Sequence, residues 1–353
     1  MNDFQLYTNE GWLNVEGIAE IPSLWLVVVV GARQVGKTYG ILKHIMQNEK
    51  LHTLYLRRTI DELELITTYR DLNPFLPLAE EGIEADIQKV SKKVYRFGLS
   101  HYDKETETTD IYDERGLGLA LSTIAQMRGF NGSLFTDLFF DEFIPEKTVV
   151  KRNGEGDALL NAYVTINGNR ELKGKPPLKM WLAANAFDIT SPILSALGLT
   201  NHISDMMRSG EEYRLLDGGV FVCAPRSNQI IVQRKETAML SYLNHAKNDS
   251  PFYDTAVNNT FAYDSLDLVR PKPLSGYKPF CIFGKMYVWR NSNTFYVCRT
   301  AHHKRIQYGN SSEEKTRAVL DFYKMKELYT RGLITFSDAE ILLEFREYFG
   351  IKA

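Results

Sequence analysis

The sequence of 353 residues lacks an apolar run of the length that crosses a bilayer. Its longest candidate, residues 18–30, is interrupted by Glu20, Pro22 and Ser23. The first residues also lack the basic and apolar segments of a secretion signal. We therefore expect no membrane partner and no secretion.

Cysteine is scarce as well. The chain has three cysteines, Cys223, Cys281 and Cys298, and no C-x-x-C pair. A zinc site or a disulfide framework would need more cysteines at closer spacing. We expect three reduced, packed thiols in a cytosolic protein. Repeats and low-complexity tracts are absent too, which argues against a solenoid.

Neither sign of charge is in large excess, because the positive and negative side chains nearly cancel to a net charge of −2. The balance is uneven along the sequence, because residues 226–353 hold 19 Lys and Arg against 13 Asp and Glu. A modestly basic C-terminal part could contact a polyanion. A solvated basic surface explains the same composition, and both interpretations stay open at this point.

The sequence LVVVVGARQVGKTYG at 26–40 organises the chain. Four consecutive valines predict a strand buried on both faces, as in a parallel sheet covered by helices. The pattern G-x-x-x-x-G-K-[ST] and a helical pattern follow, which together predict a phosphate-binding P-loop. Lys37 would contact the β- and γ-phosphates of ATP, and the Thr38 hydroxyl would bind Mg²⁺. The candidate nucleotide-binding residues of this loop are Gly31, Ala32, Arg33, Gln34, Val35, Gly36, Lys37 and Thr38.

Another apolar strand is predicted in DLFFDEFI at 137–144, where the apolar run leads into two adjacent acidic residues, the Walker B pattern. Asp141 is a candidate residue of the nucleotide-binding site and, with Thr38, the second candidate ligand of the magnesium ion. Glu142 would orient and polarise the attacking water. Adjacent Asp and Glu are typical of P-loop ATPases with an additional strand between the Walker A and Walker B strands. The pair favours hydrolysis over phosphoryl transfer to a small molecule.

Three further polar residues are candidates for catalytic roles. Asn185 lies at the end of the predicted buried strand 178–186, where its side chain could sense the γ-phosphate. Arg170 lies in the turn-rich segment 167–175 and could act as an arginine finger in the site of a neighbouring subunit. Arg152 is an alternative for that role.

Two arginines end the predicted second strand, LHTLYLRR at 51–58. Ligands of open α/β sheets bind beyond the carboxyl ends of the strands, so Arg57 and Arg58 could face a nucleotide or a polyanion. Salt bridges to Asp61 and Glu62 are the alternative. The alternating pattern over 83–123 predicts a small antiparallel extension of the sheet.

The C-terminal part predicts a separate, smaller domain. Short apolar runs separated by turn residues predict a three-stranded meander at 277–300. Two helices are predicted after it, at 312–329 and 337–349, with Ser312 and Ser337 as N-caps. The predicted boundaries are an ATPase domain at 1–226, a linker region at 227–275 and a C-terminal domain at 276–353.

In this order, the motifs GARQVGKT, LYLRR, LFFDEF, NRE and LAANA resemble those of the genome-packaging ATPases of small tailed phages of the phi-29-like kind, which are related to terminases. The likeness covers residues 25–190 and continues more weakly through 277–300. It implies an α/β fold with an ASCE-type P-loop ATPase sheet, mostly parallel and flanked by helices, and a degenerate RNase H-like α+β domain at the C-terminus. Lys37, Thr38, Asp141, Glu142, Asn185 and Arg170 match the functional positions of that family.

The resemblance implies a motor that uses ATP and Mg²⁺ to move double-stranded viral DNA into a preformed capsid. Its relatives form a homo-oligomeric ring, a pentamer, which docks on the capsid portal in the host cytoplasm, in some cases with a structural RNA. Related nucleases need a carboxylate on the first strand of the RNase H-like domain. Residues 279–283 have none, so nuclease activity is not expected.

Other functions fit the same P-loop. A kinase of a nucleotide or small molecule, and another DNA translocase or helicase-type ATPase, are the main alternatives. A regulatory protein that binds nucleotide without turnover is a third. Replacement of Glu142 by Gln would leave such a protein unchanged but would stall a motor with ATP bound.

Overall fold

The computed structural model describes residues 4–31, 35–106, 108–124, 132–145, 154–185, 191–225 and 265–351, with a few isolated positions between 233 and 242. Its contacts divide the chain into two compact units. The first unit is Met1–Asp188 with Met206–Ala262, and the second is Ile189–Asp205 with Tyr263–Ala353. Most of the predicted linker lies outside the described residues, so the boundaries at 226 and 275 stay a prediction.

A nine-stranded sheet forms the centre of the first unit, in the order β3-β4-β5-β2-β6-β7-β1-β9-β8. The strands from β5 to β9 in this order run parallel, and both edges are antiparallel. The strands are β1 Leu26–Gly31, β2 Thr53–Arg57, β3 Ala85–Lys89, β4 Tyr95–Asp103, β5 Thr108–Ala120, β6 Asp137–Asp141, β7 Lys179–Asn185, β8 Tyr213–Leu216 and β9 Val220–Cys223. The helices are α1 Val15–Ala19, α2 Lys37–Gln47, α3 Ile60–Thr68, α4 Leu121–Ile124 and α5 Glu155–Asn167, and 3₁₀ turns cover Arg70–Leu72, Leu76–Glu81, Gly132–Leu134 and Glu171–Lys173.

Strand β1 is buried along its whole length, as the run of valines predicted. It pairs with β7, and β7 pairs with β6, so one strand separates the Walker A strand from the Walker B strand. This arrangement confirms the additional strand predicted from the adjacent acidic residues. It also brings the carboxyl ends of β1, β7 and β6 to one edge of the sheet, since the three strands are parallel.

The antiparallel extension predicted over 83–123 is confirmed as β3, β4 and the first half of β5. The second half of β5 joins the parallel part by pairing with β2, from Thr53 opposite Gly116 to Arg57 opposite Ala120. The N-terminal segment packs on the sheet, because Leu6, Leu13 and Val15 share a buried cluster with β1 and α2.

The second unit contains a five-stranded sheet in the order β13-β10-β11-β12-β14. Strands β10 to β12 form the predicted antiparallel meander, and β13 and β14 pair in parallel with its outer strands. The elements are α6 Pro192–Ala196, α7 Thr200–Ser209, a 3₁₀ turn Ser265–Leu268, β10 Lys278–Phe283, β11 Met286–Asn291, β12 Thr294–Cys298, β13 Gln307–Tyr308, α8 Ser312–Asp321, α9 Met325–Thr330, β14 Ile334–Phe336 and α10 Ala339–Phe349. Helix α7 belongs to this unit as far as Asp205.

Both predicted N-caps are wrong by one residue: Ser312 lies one position after the observed N-cap, and Ser337 lies one position before it. The side chain of Ser311, rather than Ser312, accepts a hydrogen bond from the Glu314 N–H. Asp338, rather than Ser337, caps α10, where its carboxylate accepts from the Ile341 N–H at 3.1 Å. A carboxylate at this position also interacts favourably with the helix dipole.

The predicted helix at 312–329 is interrupted between α8 and α9. Phe322 lies in the interruption, and its ring packs edge-on against Phe280 and Phe283 of β10. Packing of this aromatic ring on the sheet therefore accompanies the break in the helical periodicity.

Together the two sheets confirm the predicted fold class, an α/β P-loop sheet with a second, smaller α+β unit. In the part of the chain that is described, no helix has the length and apolar character to cross a membrane.

Candidate active site

Four parallel strands end at the same edge of the large sheet, where the side chains of the candidate site gather. Strand β1 leads into the phosphate loop, β7 ends at Asn185, β6 ends at Asp141, and β2 ends at Arg57. Gly31 and Asn185 lie directly opposite each other in the pairing of β1 with β7. The site is therefore assembled by the sheet and not by a single loop.

Lys37 is the first residue of α2 and is 7% exposed. The preceding residue, Gly36, has a φ of 86°, a left-handed conformation that glycine adopts without strain. The Lys37 ammonium donates to the Gly31 carbonyl at 3.1 Å and to Asn185 Oδ1 at 3.2 Å. Asn185 and the P-loop lysine, 148 positions apart in the chain, are thus direct neighbours.

Thr38 and Asp141 provide two adjacent oxygen ligands of the kind that Mg²⁺ prefers. The Thr38 hydroxyl donates to Asp141 Oδ1 at 2.8 Å, and the Tyr55 hydroxyl donates to Asp141 Oδ2 at 3.3 Å. A hydroxyl and a carboxylate beside a phosphate loop match the magnesium sites of nucleotide-binding proteins, in which phosphates and water complete the octahedron. The residues present therefore fit the ion.

Burial raises the pKa of the Asp141 carboxyl, and the charge of Arg57 acts in the opposite direction. Burial alone would lower the pKa of Arg57, but Tyr55, Asp141 and Glu142 outweigh it and raise the pKa. The guanidinium therefore stays charged at every pH at which the protein is folded.

Glu142 follows β6 and is held by Arg57. Its backbone φ of 53° is left-handed, an uncommon and strained conformation for a residue with a side chain. Arg57 Nη2 donates to Glu142 Oε2 at 2.7 Å, while Arg57 Nη1 donates to Asp141 Oδ2 at 3.0 Å. One guanidinium thus binds both Walker B acids, and the Glu142 side chain is still 53% exposed.

The sequence did not predict this role of Arg57. It left open a nucleotide, a polyanion or a salt bridge to the following helix, and the structure contains one such salt bridge, to Glu62 at 3.4 Å. The bonds to Asp141 and Glu142 arise because β2 pairs with β6. Tyr55 was missed for the same reason, since a tyrosine in an apolar strand gives no sign of a polar partner.

Arg58 does not enter this group of side chains. It forms a buried ion pair with Glu155 at the start of α5, with Nη2 2.6 Å from Oε1. Both side chains are less than a tenth exposed. The pair fixes the end of β2 to α5, which leads towards Arg170.

Arg170 lies at the opposite edge of the sheet. Its guanidinium donates to the carbonyls of Phe135 and Pro176, which precede the first residues of β6 and β7. The length of β6 puts this edge roughly 15 Å from Asp141. Arg170 is therefore outside the site of its own chain.

Four of the predicted residues lie outside the described part of the chain. They are Ala32, Arg33 and Gln34 of the phosphate loop and the alternative finger Arg152. Val35 is described and buried, and its carbonyl accepts from the N–H of Leu13 at 3.4 Å.

Two solved structures are similar to the chain over nearly its whole length. The bacteriophage Phi-29 viral genome packaging motor assembly is 16% identical with a TM-score of 0.65, and the similarity covers 99% of each chain. The Phi-28 gp11 DNA packaging motor is 18% identical with a TM-score of 0.58, covering 98% of this chain and 100% of that one. The chain has the fold of these DNA packaging motors.

The resemblance stated from the sequence motifs is thereby confirmed at the level of the fold. No protein-family model and no curated protein sequence matches the chain. The chain thus shares its fold with these two packaging motors at a sequence identity of 18% or less.

Proposed function

We propose that the chain is an ATPase that moves double-stranded viral DNA into a preformed capsid as part of a homo-oligomeric ring. One observation carries the proposal. Hydrogen bonds and ion pairs at one sheet edge form two adjacent groups, Lys37 with Asn185, and Asp141 with Thr38, Arg57 and, through Arg57, Glu142. This edge lies on a fold that two DNA packaging motors share over 98% or more of the chain.

The roles in hydrolysis follow from these positions. The Lys37 ammonium contacts the β- and γ-phosphates, and the Asn185 amide beside it contacts the γ-phosphate. Thr38 and Asp141 would hold Mg²⁺, which would supply positive charge to the phosphate oxygens. Glu142 orients a water molecule and accepts its proton while the water oxygen bonds to the γ-phosphorus. The bond between the γ-phosphorus and the bridging oxygen breaks, and ADP and phosphate leave.

Arg57 controls when Glu142 can act. A carboxylate oxygen that accepts a hydrogen bond from a guanidinium is turned away from an attacking water and cannot take its proton. Glu142 must therefore turn from Arg57 towards the water. Its exposed side chain leaves room for that rotation, and Arg57 keeps Asp141 as a partner when Glu142 turns.

Arg170 supports the ring. Its distance from the site of its own chain leaves a neighbouring subunit as the place where it could meet a γ-phosphate. An arginine finger provided in this way contributes a factor of about 10³–10⁵ to turnover in other P-loop enzymes. Hydrolysis then takes place at subunit interfaces. In the family that the sequence resembles, the ring has five subunits.

The remaining partners of the proposed motor are a capsid portal, on which the ring docks in the host cytoplasm, and in some relatives a structural RNA. Contacts to double-stranded DNA would be made to phosphates and so weaken with salt. Nuclease activity is no part of the proposal, since β10 offers no carboxylate for two metal ions. The smaller unit would then bind DNA or another motor component without cutting.

An ATPase assay with and without double-stranded DNA tests the proposal. We expect hydrolysis in the presence of Mg²⁺, stimulation by DNA, and loss of the stimulation at high salt. Glu142→Gln should retain ATP binding and lower kcat by about 10²–10⁴-fold. Phosphate transfer to a metabolite instead of water would support a kinase and contradict the motor.

Sharing of sites between subunits is tested by mixing. Arg170→Ala and Lys37→Ala should each be nearly inactive alone, and an equal mixture should recover up to about a quarter of the wild-type activity, because Lys37→Ala subunits supply Arg170 to the intact phosphate loops of Arg170→Ala neighbours. Arg331→Ala is the matched control, since its exposed side chain pairs only weakly with Glu327 on the same helix. A mixture of Arg170→Ala and Lys37→Ala that stays inactive would contradict the sharing of sites between subunits.

A further inference from the structure

A tight turn near the N-terminus holds Trp12 in a fixed position. The Thr8 N–H donates to the Trp12 carbonyl at 2.8 Å, and the Gly11 N–H donates to the Thr8 carbonyl at 2.9 Å. Tyr7 and Leu13 form an antiparallel bridge across the turn. Leu13 itself is buried in the core of the first unit, so the segment is anchored at its end.

This segment lies directly on the end of the phosphate loop and on the first turn of α2. A Cβ atom at Gly36 would be 3.2 Å from Cε3 of the Trp12 ring, and one at Gly40 would be 2.8 Å from Cγ2 of Val15. Gly36 and Gly40 are one helical turn apart, on the same face. The missing side chains at these two positions let the N-terminal segment approach the helix closely.

Trp12 is nevertheless 43% exposed. Contact of the apolar indole surface with water is unfavourable, and burial of that surface would stabilise the protein or a complex. Trp12 lies next to a loop that binds phosphate through its glycines and lysine. A flat aromatic group attached to that phosphate would cover the exposed ring.

The direction of the triphosphate places its base on this side. The γ-phosphate end is defined by Asn185, Asp141 and Glu142, which lie at the ends of β7 and β6, to one side of β1. The N-terminal turn lies towards the other side of β1, because Tyr7 donates to Glu212 next to β8 at 2.6 Å and Phe4 packs on Phe221 of β9. A nucleotide bound with its γ-phosphate at β6 and β7 extends its base towards β9 and the turn.

We propose that Trp12 is the platform on which the base of the bound nucleotide stacks. The inference rests on the proposed function, because it takes the phosphate loop as the site of a nucleoside triphosphate. It adds a residue that determines affinity and base preference, and it commits to a purine. The larger ring system of a purine covers more of the indole than a pyrimidine does, although every base has a face that can stack.

Steady-state hydrolysis by Trp12→Ala, Trp12→Phe and wild type tests the platform. Stacking of one base on an aromatic side chain corresponds to roughly 5- to 150-fold in affinity. We expect Trp12→Ala to raise KM for ATP by about tenfold, to change kcat less than threefold, and to reduce the preference for ATP over CTP. Trp12→Phe should restore most of the affinity. Tyr112→Ala, which removes an exposed aromatic ring from β5, should leave KM unchanged.

Intrinsic fluorescence provides a second readout that does not need turnover. Addition of Mg·ATP should quench part of the tryptophan emission of wild type, and Trp12→Phe should lose that change. Trp25→Phe is the control, because Trp25 precedes β1 at its far end, about 20 Å from the phosphate loop. If Trp12→Ala does not fold, this experiment decides the question.

The inference is overturned by a wild type that hydrolyses ATP while Trp12→Ala has an unchanged KM. It is equally overturned if the quench by ATP persists in Trp12→Phe. A wild type that neither binds nor hydrolyses ATP is a different result, because it overturns the proposed function itself and the inference with it.

Discussion

Arg57 is the residue that binds Asp141 and Glu142 together. Asp141 is almost completely buried, and Arg57 is the cation that the structure places against it. A buried ion pair adds little stability compared with apolar residues of the same shape. Removal of one partner has a much larger effect, because it leaves the other charge without compensation in an apolar environment.

We therefore predict that Arg57→Leu lowers the free energy of unfolding by about 3–5 kcal/mol. Asp141→Asn in the Arg57→Leu background should recover part of this loss, because the amide has no charge to leave unpaired. Urea unfolding of the two single variants and the double variant measures the coupling. Arg331→Leu is the control, expected within about 1 kcal/mol of wild type because its ion pair is exposed. Equal losses for Arg57→Leu and Arg331→Leu would contradict this account.

At the scale of elements, the site depends on the contact between α2 and the N-terminal segment. Helix α2 carries Lys37 and Thr38 at its first turn, and Gly40 lies one turn further along. Glycine in a helix interior is unfavourable by about 1 kcal/mol relative to alanine. The close contact with Val15 is the structural reason for a glycine at this position.

Gly40→Ala should therefore destabilise the protein despite the better helix propensity of alanine. The new Cβ would meet Val15 Cγ2 at 2.8 Å, and such overpacking costs about 1–3 kcal/mol. In a Val15→Ala background the obstructing methyl group is absent, and the same substitution should become neutral or stabilising by up to about 1 kcal/mol. Thermal unfolding of the four proteins measures the sign in each background. A stabilising effect of Gly40→Ala in wild type would show that the contact does not restrict this helix.

At the scale of the whole molecule, the two units have separate cores, and each contains buried cysteine. Cys223 lies in β9 of the large sheet, whereas Cys281 and Cys298 lie in β10 and β12 of the small sheet. Burial raises the pKa of the Cys223 thiol and of the Cys281 thiol. The reactive thiolate of both is therefore scarcer at any given pH than in an exposed cysteine.

Thiol labelling should consequently be slow in the native protein at pH 8, and at pH 9 it should still be much slower than labelling of the unfolded chain. In increasing urea, peptide mass spectrometry identifies which thiol reacts first. If the two units unfold separately, Cys223 becomes reactive at a different urea concentration from Cys281 and Cys298. Complete labelling within the time taken by the unfolded chain would contradict the burial of these thiols.

Much of the site was predictable because its local patterns are strong. Lys37 and Thr38 were predicted from the P-loop pattern. Asp141, Glu142 and Asn185 were predicted from apolar strands that end in polar groups. The strand ends are near each other in the structure, since parallel strands gather their carboxyl ends at one edge. The N-caps Ser311 and Asp338 were missed by one position, because adjacent polar residues at a helix start can each satisfy the free N–H groups.

The sequence by itself determined the phosphate loop, the acidic strand end and the division into a larger and a smaller α/β part. Each of these features follows from residues close together in the sequence, whose spacing matches a strand or a helix. Only the tertiary structure decided that Arg57 binds Glu142, that Arg170 lies at the opposite edge of the sheet, and that Trp12 lies on Gly36. These contacts depend on which distant strands pair and how the N-terminal segment packs, and burial of the whole core selects those arrangements rather than any local pattern.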